Sequence, residues 1–330
     1  MKMKVKTETN MVRIMTCAIA LVWSVATYAQ SAYPTKPITM IVPGPAGSAI
    51  DNVARVIGEA MAASLGQNIL PLNVEGAGAT LGTIRLAQAQ PDGYTILFHN
   101  VGVAVAPALY NKLQYDVFND LQPLGLTSEV PIVVVAKLDL PPKTVRELIP
   151  YLKKEGKNIS LATSGPGSAS DLCGTVFQQM LGVNFTLVPY KGSSPALTDM
   201  IGGRIDLMCD QTTSAASQIK AGRIKVYGAA SKERLPILPD VPTMTEGGMP
   251  YEFSVWQGMY APARTPADIV MKLSMALRSA IQQEKVKDAL STKYSVSTVD
   301  LERATPEFHT KFLKQEVERW GKYYKTIPKE

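Results

Sequence analysis

The sequence predicts an α/β protein in which parallel strands alternate with helices and are covered on both faces. Two observations predict it. Five apolar, strand-like runs each end in a turn of small residues and restart as a helix, which is the element order of a helix-covered parallel sheet. About 300 residues also remain after a removable N-terminal segment. That exceeds one comfortable core, and a composition 46% hydrophobic supplies material for two lobes.

The clearest run is Ile38-Thr39-Met40-Ile41-Val42, followed by the turn Pro43-Gly44-Pro45-Ala46-Gly47-Ser48-Ala49-Ile50-Asp51. The others are 69–74 into Gly76-Ala77-Gly78, 94–98 into His99-Asn100-Val101-Gly102, 160–162 into Thr163-Ser164-Gly165-Pro166-Gly167-Ser168, and 205–208 into Cys209-Asp210-Gln211-Thr212. Ligands of such sheets bind at the carboxyl ends of the strands. Helix N-termini there present unpaired N–H groups and partial positive charge, which suits a carboxylate or phosphate.

Between these runs, 51–65 keeps Val53, Ile57, Met61 and Leu65 at helical spacing and stops at Gly66. A second helix is expected over 81–90, and Pro91-Asp92-Gly93 turns the chain into the next strand. A strand follows at 132–137, and Thr144-Val145-Arg146-Glu147 is a capping box for a helix toward Lys154. Strand and helix alternate to about Ala229. Four prolines (Pro236, Pro239, Pro242, Pro250) make 232–250 an irregular connection, and a strand resumes over 254–260. Thr265-Pro266-Ala267-Asp268 opens a helix with Thr265 as N-cap and proline first. The last helix begins at Thr305-Pro306-Glu307 and puts Phe308, Phe312 and Trp320 roughly on one face.

Lys2, Lys4, Lys6 and Arg13 precede an apolar stretch at 14–25 and then small residues, the pattern of a signal peptide over 1–29 cleaved near Ala29. The apolar stretch is shorter than the ~20 residues of a membrane span. Cleavage lowers the formal charge from +6 to +3, which calls for no polyanionic partner, and the scattered basic residues resemble no nucleic-acid module. Cys173 and Cys209 remain after cleavage. An oxidising compartment permits a disulfide between them, and two small buried thiols are the alternative.

Enzyme signatures are weak. The stretch from Gly76 to Gly82 lacks the spacing and the acid of a dinucleotide fingerprint, and Tyr190-Lys191-Gly192-Ser193 lacks the upstream glycines of a P-loop. Two histidines, far from any cysteine or acid cluster, give no metal site. Ser168, His99 and Asp210 compose a triad only on paper, without a nucleophile-elbow pattern. No catalytic residue and no cofactor is expected.

An ordered series of motifs is more specific. It runs Tyr33-Pro34-Thr35-Lys36-Pro37-Ile38, Val42-Pro43, Pro91-Asp92-Gly93-Tyr94-Thr95, then Val188-Pro189-Tyr190-Lys191-Gly192-Ser193-Ser194-Pro195-Ala196-Leu197-Thr198-Asp199. Gly202-Gly203-Arg204-Ile205-Asp206-Leu207-Met208, Leu238-Pro239-Asp240-Val241-Pro242-Thr243 and Ala261-Pro262-Ala263-Arg264-Thr265-Pro266 complete it. Over about 33–325 the chain resembles the Bug-type extracytoplasmic solute receptors of tripartite tricarboxylate transporters. The resemblance implies a periplasmic, monomeric receptor of type II Venus-flytrap architecture that closes on a small organic carboxylate and works with two integral-membrane transporter subunits. Lobe one is expected to comprise 33–129 plus 254–330, and lobe two 130–253. A sensor presenting its ligand to a signalling partner, or a periplasmic hydrolase, is the alternative.

Carried over by position, the resemblance places the ligand against Pro45, Ala46, Gly47, Ser48 and Asp51 in the first-lobe turn and against His99 and Asn100. From the second lobe it takes Thr163, Ser164, Gly167, Ser168 and Ala169, with Asp210 beside them. Gly47, Gly165 and Gly167 let backbone N–H groups approach an oxyanion, and Ser48, Ser164 and Ser168 can add hydroxyl donors. Asp51 and Asp210 either touch the solute or hold their turns. Ala49 and Ile50 replace polar residues common in relatives, which favours a small aromatic or aliphatic mono- or dicarboxylate over a tricarboxylate or a free amino acid.

Overall fold

A computed structural model of the chain describes residues 33–326. The expected signal peptide therefore lies outside the described residues. Of those described, 33–35 belong to a short N-terminal unit and Lys36 onward to the main one. In the main unit, strand β1 (Ile38–Val42) buries every residue but Thr39 and pairs in parallel with β2 (Ile69–Asn73) and β3 (Thr95–Asn100). A strand buried on both faces reads as a continuous apolar run, as here. Helix α1 (Ala49–Leu65) links β1 to β2 and buries Val53, Ile57 and Met61 completely. Burial at that spacing stabilises by roughly 1.5–3 kcal/mol per side chain. The helix ends where Gly66 turns left-handed at φ 68° and its N–H caps the Ala62 carbonyl.

Helix α2 (Thr80–Ala87) precedes β3 and α3 (Gly102–Leu109) follows it. The long strand β4 (Leu121–Ala136) then joins two groups of strands. From Leu121 to Pro131 it pairs antiparallel with β9 (Ser254–Pro262), which also pairs with β3. From Ile132 to Ala136 it pairs instead with β7 (Leu207–Gln211), and from Val133 with β8 (Lys225–Ala229). On the far side of β7, β5 (Ser160–Thr163) and β6 (Thr186–Pro189) continue in parallel. The strand order is β2-β1-β3-β9-β4-β7-β5-β6, with β8 and β10 (Ser297–Thr298) also on β4.

Helices α4 (Val145–Glu155), α5 (Ala169–Leu181), α6 (Ser193–Ile201) and α7 (Thr212–Lys220) connect the second group. Its core includes Val133, Val135, Met200, Met208 and Ala229. Helices α8 (Ala267–Gln282), α9 (Glu284–Tyr294) and α10 (Pro306–Thr326) complete the chain. The proline-rich connection is anchored by Ala229 N–H to Pro242 O and Met244 N–H to Ala229 O, at 2.9 and 2.8 Å.

Several boundaries differ from the sequence reading. His99 and Asn100 remain in β3, because they pair with Gly258 and Gln257 of β9. Asp210 and Gln211 remain in β7, because they pair with Val133 and Ile132 of β4. The stretch 205–206 precedes that strand, and β4 begins eleven residues before the expected 132. Each difference comes from a partner distant in sequence, which periodicity does not reveal. Helix α2 stops at Ala87 rather than at residue 90. In α8, Pro266 is the N-cap and Thr265 instead donates to Pro262 O at 2.7 Å. The buried face of α10 is His309, Leu313, Glu316 and Trp320, with Phe308 and Phe312 half-buried beside it.

Cys173 of α5 and Cys209 of β7 are joined as a disulfide, with Cα atoms 5.9 Å apart and both side chains buried. Tyr251 Oη lies 2.9 Å from Cys173 Sγ and donates to the Cys173 carbonyl at 2.8 Å.

Candidate ligand-binding site

Two turns, one after β1 and one after β5, have the same construction. Each carries Gly-Ser-Ala-Xaa-Asp: Gly47-Ser48-Ala49-Ile50-Asp51 and Gly167-Ser168-Ala169-Ser170-Asp171. The glycines sit at φ 76° and 74°, a left-handed conformation that costs an L side chain about 1–2 kcal/mol. Each glycine N–H donates to the aspartate four residues on, at 2.8 Å to Asp51 Oδ2 and 2.9 Å to Asp171 Oδ2. Each serine is an extended N-cap, at φ −69°, ψ 168° and φ −70°, ψ 161°. Each serine N–H donates 3.1 Å back, to Pro45 O and Gly165 O. The first N–H groups of α1 and α5 consequently lack intrahelical carbonyl partners.

The turns differ in their hydroxyls and acids. Ser168 Oγ accepts the Asp171 N–H at 3.2 Å, which leaves its hydrogen available. Ser48 Oγ is buried and makes no hydrogen bond among the described residues. Asp51 is 1% exposed and also accepts from Arg55 Nε at 2.8 Å and Asn73 Nδ2 at 3.0 Å. Burial raises its pKa, but the bonds from Arg55, the Gly47 N–H and Asn73 outweigh burial and hold it below the ordinary value. Asp51 is therefore engaged within its turn. Asp171 has the Gly167 N–H, and burial leaves its pKa raised.

These turns meet the opposite strand group. A Cβ built on Gly78, in the turn after β2, would lie 2.8 Å from Pro166 O and against Tyr110 Oη. One on Gly102 would lie 3.5 Å from Gly167 O and 3.3 Å from His99 Cε1, and one on Gly167 would lie 2.6 Å from Leu109 Cδ1. A Cβ on Gly192 would lie 3.8 Å from Pro45 Cγ. Ala46 is exposed beside Pro45, and Ala169 is the buried first residue of α5.

His99 ends β3 fully buried, and its Nδ1 accepts the Asn100 N–H at 2.7 Å. Burial lowers its pKa to about 4, against partial compensation from Asn100, so the ring is neutral with its proton on Nε2. Asn100 Oδ1 accepts the Gly102 N–H at 3.0 Å and shapes the start of α3. Thr163 Oγ1 accepts the Gly165 N–H at 3.3 Å. Asp210 is buried, with Oδ1 taken by Ser193 and Oδ2 by Ser214, at 2.7 and 2.8 Å. Burial pushes its pKa up to about 6, despite those bonds and the Gln211 N–H.

Sequence reasoning missed Asp171 and Ser193. The repeated Gly-Ser-Ala-Xaa-Asp string was a signal for Asp171, whereas Ser193 is visible only through its bond to Asp210. Two more polar atoms near the end of β7, Gln211 Nε2 and Thr213 Oγ1, are buried and unpaired among the described residues. The described residues contain no cluster of three or more side chains suited to a metal. Two surface depressions, about 350 Å³ beside Asp120 and Arg264 and about 590 Å³ beside Phe118 and Lys314, include none of the facing-turn residues.

Residues 53–328 match the model of the tripartite tricarboxylate transporter family receptor. The chain belongs to that family. A protein from the TAR-I ttuE-ttuC′ intergenic region of Agrobacterium vitis is 42% identical over 316 residues, covering 96% of this chain and 90% of that protein. The structure of the periplasmic binding protein BugD superposes with a TM-score of 0.82 at 41% identity, covering 89% of this chain and 98% of that one. MatC from Rhodopseudomonas palustris, solved with bound malate, gives 0.81 at 35% identity, covering 88% and 100%. The fold is thus the mixed α/β fold of the family's periplasmic solute-binding receptors, and the chain is one of those receptors.

Proposed function

We propose that this receptor closes on a small dicarboxylate between its two lobes and delivers it to two integral-membrane subunits of a tripartite transporter. The observation that carries the ligand class is the pair of equivalent turns. Each offers helix N–H groups, a left-handed glycine and a serine hydroxyl, so each suits one carboxylate. Ser48 and Ser168 have hydrogens to donate, and His99 adds a neutral polar edge. Asp51 holds its turn through three donors, and Asp210 acts on the site through Ser193. The malate held by MatC is consistent with this class.

The lobes are read as 33–129 plus 254–330 and 130–253. Support comes from β4, which exchanges β9 for β7 and β8 between Pro131 and Ile132, and from β9, which begins at Ser254. The mature receptor, cleaved near Ala29, acts in the periplasm as a monomer and without chemistry of its own.

Isothermal titration with C4–C6 dicarboxylates, benzoate-type acids, citrate and glutamate tests the reading. A dicarboxylate should bind best, and at 100-fold over its Kd should add about 2.7 kcal/mol of stability. Binding of citrate or glutamate alone overturns it.

A further inference from the structure

Behind the second turn, a chain of hydroxyls has a fixed direction. Ser193 Oγ lies 2.7 Å from Asp210 Oδ1, and Ser214 Oγ lies 2.8 Å from Asp210 Oδ2. An ionised carboxylate only accepts, so the single hydroxyl hydrogen of Ser193 is committed to Asp210. Even with its raised pKa of about 6, Asp210 is mostly ionised at neutral pH.

Ser193 Oγ is also 2.9 Å from Ser164 Oγ. One of the two must donate. Since the Ser193 hydrogen is already placed, Ser164 donates to Ser193. A serine hydroxyl has one hydrogen and two lone pairs, so Ser164 has only lone pairs left for any further partner. Ser164 is half-buried and directly follows β5, in the stretch whose Pro166 and Gly167 carbonyls approach Gly78 and Gly102. Ser193 follows Gly192, which approaches Pro45. Both therefore belong to the faces that meet across the proposed site.

We infer that Ser164 is a specificity-determining acceptor that selects an acid bearing a hydroxyl close to the carboxylate held by the second turn. The inference rests on the dicarboxylate reading and removes Ser164 from the carboxylate donors named from the sequence. Ser164 and Ser168 flank one short turn, so a hydroxyl near one end of the acid can reach the first while that carboxylate meets the second. A bare methylene there leaves the acceptor without a donor, and a further carboxylate oxygen would face its lone pairs. A hydroxyl suits the site better than an ammonium. Asp51 and Asp210 have both oxygens engaged, and Asp171 Oδ2 accepts the Gly167 N–H, which leaves Asp171 Oδ1 as the counter-charge that the aspartate arm of the test probes.

The test is titration of the mature receptor with two matched pairs, succinate against malate and glutarate against 2-hydroxyglutarate, with aspartate as the ammonium counterpart. The hydroxylated member should bind about tenfold tighter or more, the scale of one hydrogen bond. Ser164→Ala should erase that ratio. Ser193→Ala should shrink it, because the Ser164 hydroxyl is then released to donate; a merely structural loss would weaken both members alike. Circular dichroism melts show whether both variants fold, and the wild-type ratio decides if one does not. Equal or tighter binding of the unsubstituted acids, a preference for aspartate, or a ratio that survives Ser164→Ala overturns the inference alone. Failure of every acid in the pairs to bind overturns the dicarboxylate reading and this inference with it.

Discussion

The Gly47 N–H donates to Asp51 Oδ2 at 2.8 Å, tying the left-handed glycine to the first turn of α1. Asp51 simultaneously binds Arg55 and Asn73, whereas its counterpart Asp171 binds the Gly167 N–H. Asp51→Ala should therefore destabilise the protein by about 2–4 kcal/mol, because the Gly47 N–H, Arg55 and Asn73 all lose bonds to one buried carboxylate. Asp171→Ala should cost about 1–2 kcal/mol. Urea denaturation of the two variants measures the order, and equal costs would contradict the unequal roles.

Acid should destabilise the protein through its histidines. His99 and His309 are buried, with pKa values lowered from 6.5 to about 4 and about 3. Below pH 6.5 the unfolded chain binds protons that the folded chain refuses. The stability they contribute is full above pH 6.5 and falls toward those folded values, by roughly 1.4 kcal/mol per pH unit per group. Asp210 has the opposite sign: its raised pKa makes folding less favourable as pH rises from 3.8 through about 6. Asp171, whose pKa burial also raises, acts in the same sense as Asp210, so the fall in the urea midpoint should be clearest between pH 6.5 and 6, above the Asp210 value. His99→Gln should flatten that fall, and an unchanged slope would contradict the assignment.

The Cys173–Cys209 bridge closes a sequence separation of 36 residues. Its chain-entropy contribution is about 3–4 kcal/mol. Melting with and without a reductant, alongside Cys209→Ala, should show a clear loss of Tm on reduction of the wild type and none in the variant. A wild-type Tm indifferent to reductant, with no free thiol appearing, would also fit a shielded bridge. Thiol counting in denaturant separates that case from two free cysteines, which would contradict the bond.

Ala79 sits at φ 72°, where a Cβ is unfavourable and glycine is not. Ala79→Gly should therefore raise stability by up to about 1 kcal/mol, in spite of the greater freedom glycine gains when unfolded. A loss above 1 kcal/mol in urea denaturation would show that the methyl group packs more than it strains.

The parts of the site that were legible in the sequence are local ones. Gly47-Ser48 and Gly167-Ser168 announce their turns because left-handed glycines and serine N-caps are requirements of the chain itself. Local pattern places His99, Asn100, Asp210 and Gln211 in turns, yet they are strand residues, because β9 and β4 extend the pairing from far along the sequence. The first half of β4 was unread for the same reason, and Pro123, Gly125 and Pro131 interrupt any strand pattern there. Ser193 could not be ranked at all. Its importance arises from a bond to Asp210, 17 residues away on another element.

A grip by each turn on one carboxylate can be read from a single titration series. Succinate and malate, with butyrate as the single-carboxylate control, are titrated into the wild type, Ser48→Ala and Ser168→Ala. Whichever dicarboxylate binds should lose about 1–2 kcal/mol of affinity in both variants, the cost of a hydrogen bond to a charged group. Butyrate should bind weakly and respond to only one substitution. A bound dicarboxylate indifferent to either Ser48→Ala or Ser168→Ala would contradict the two-turn account.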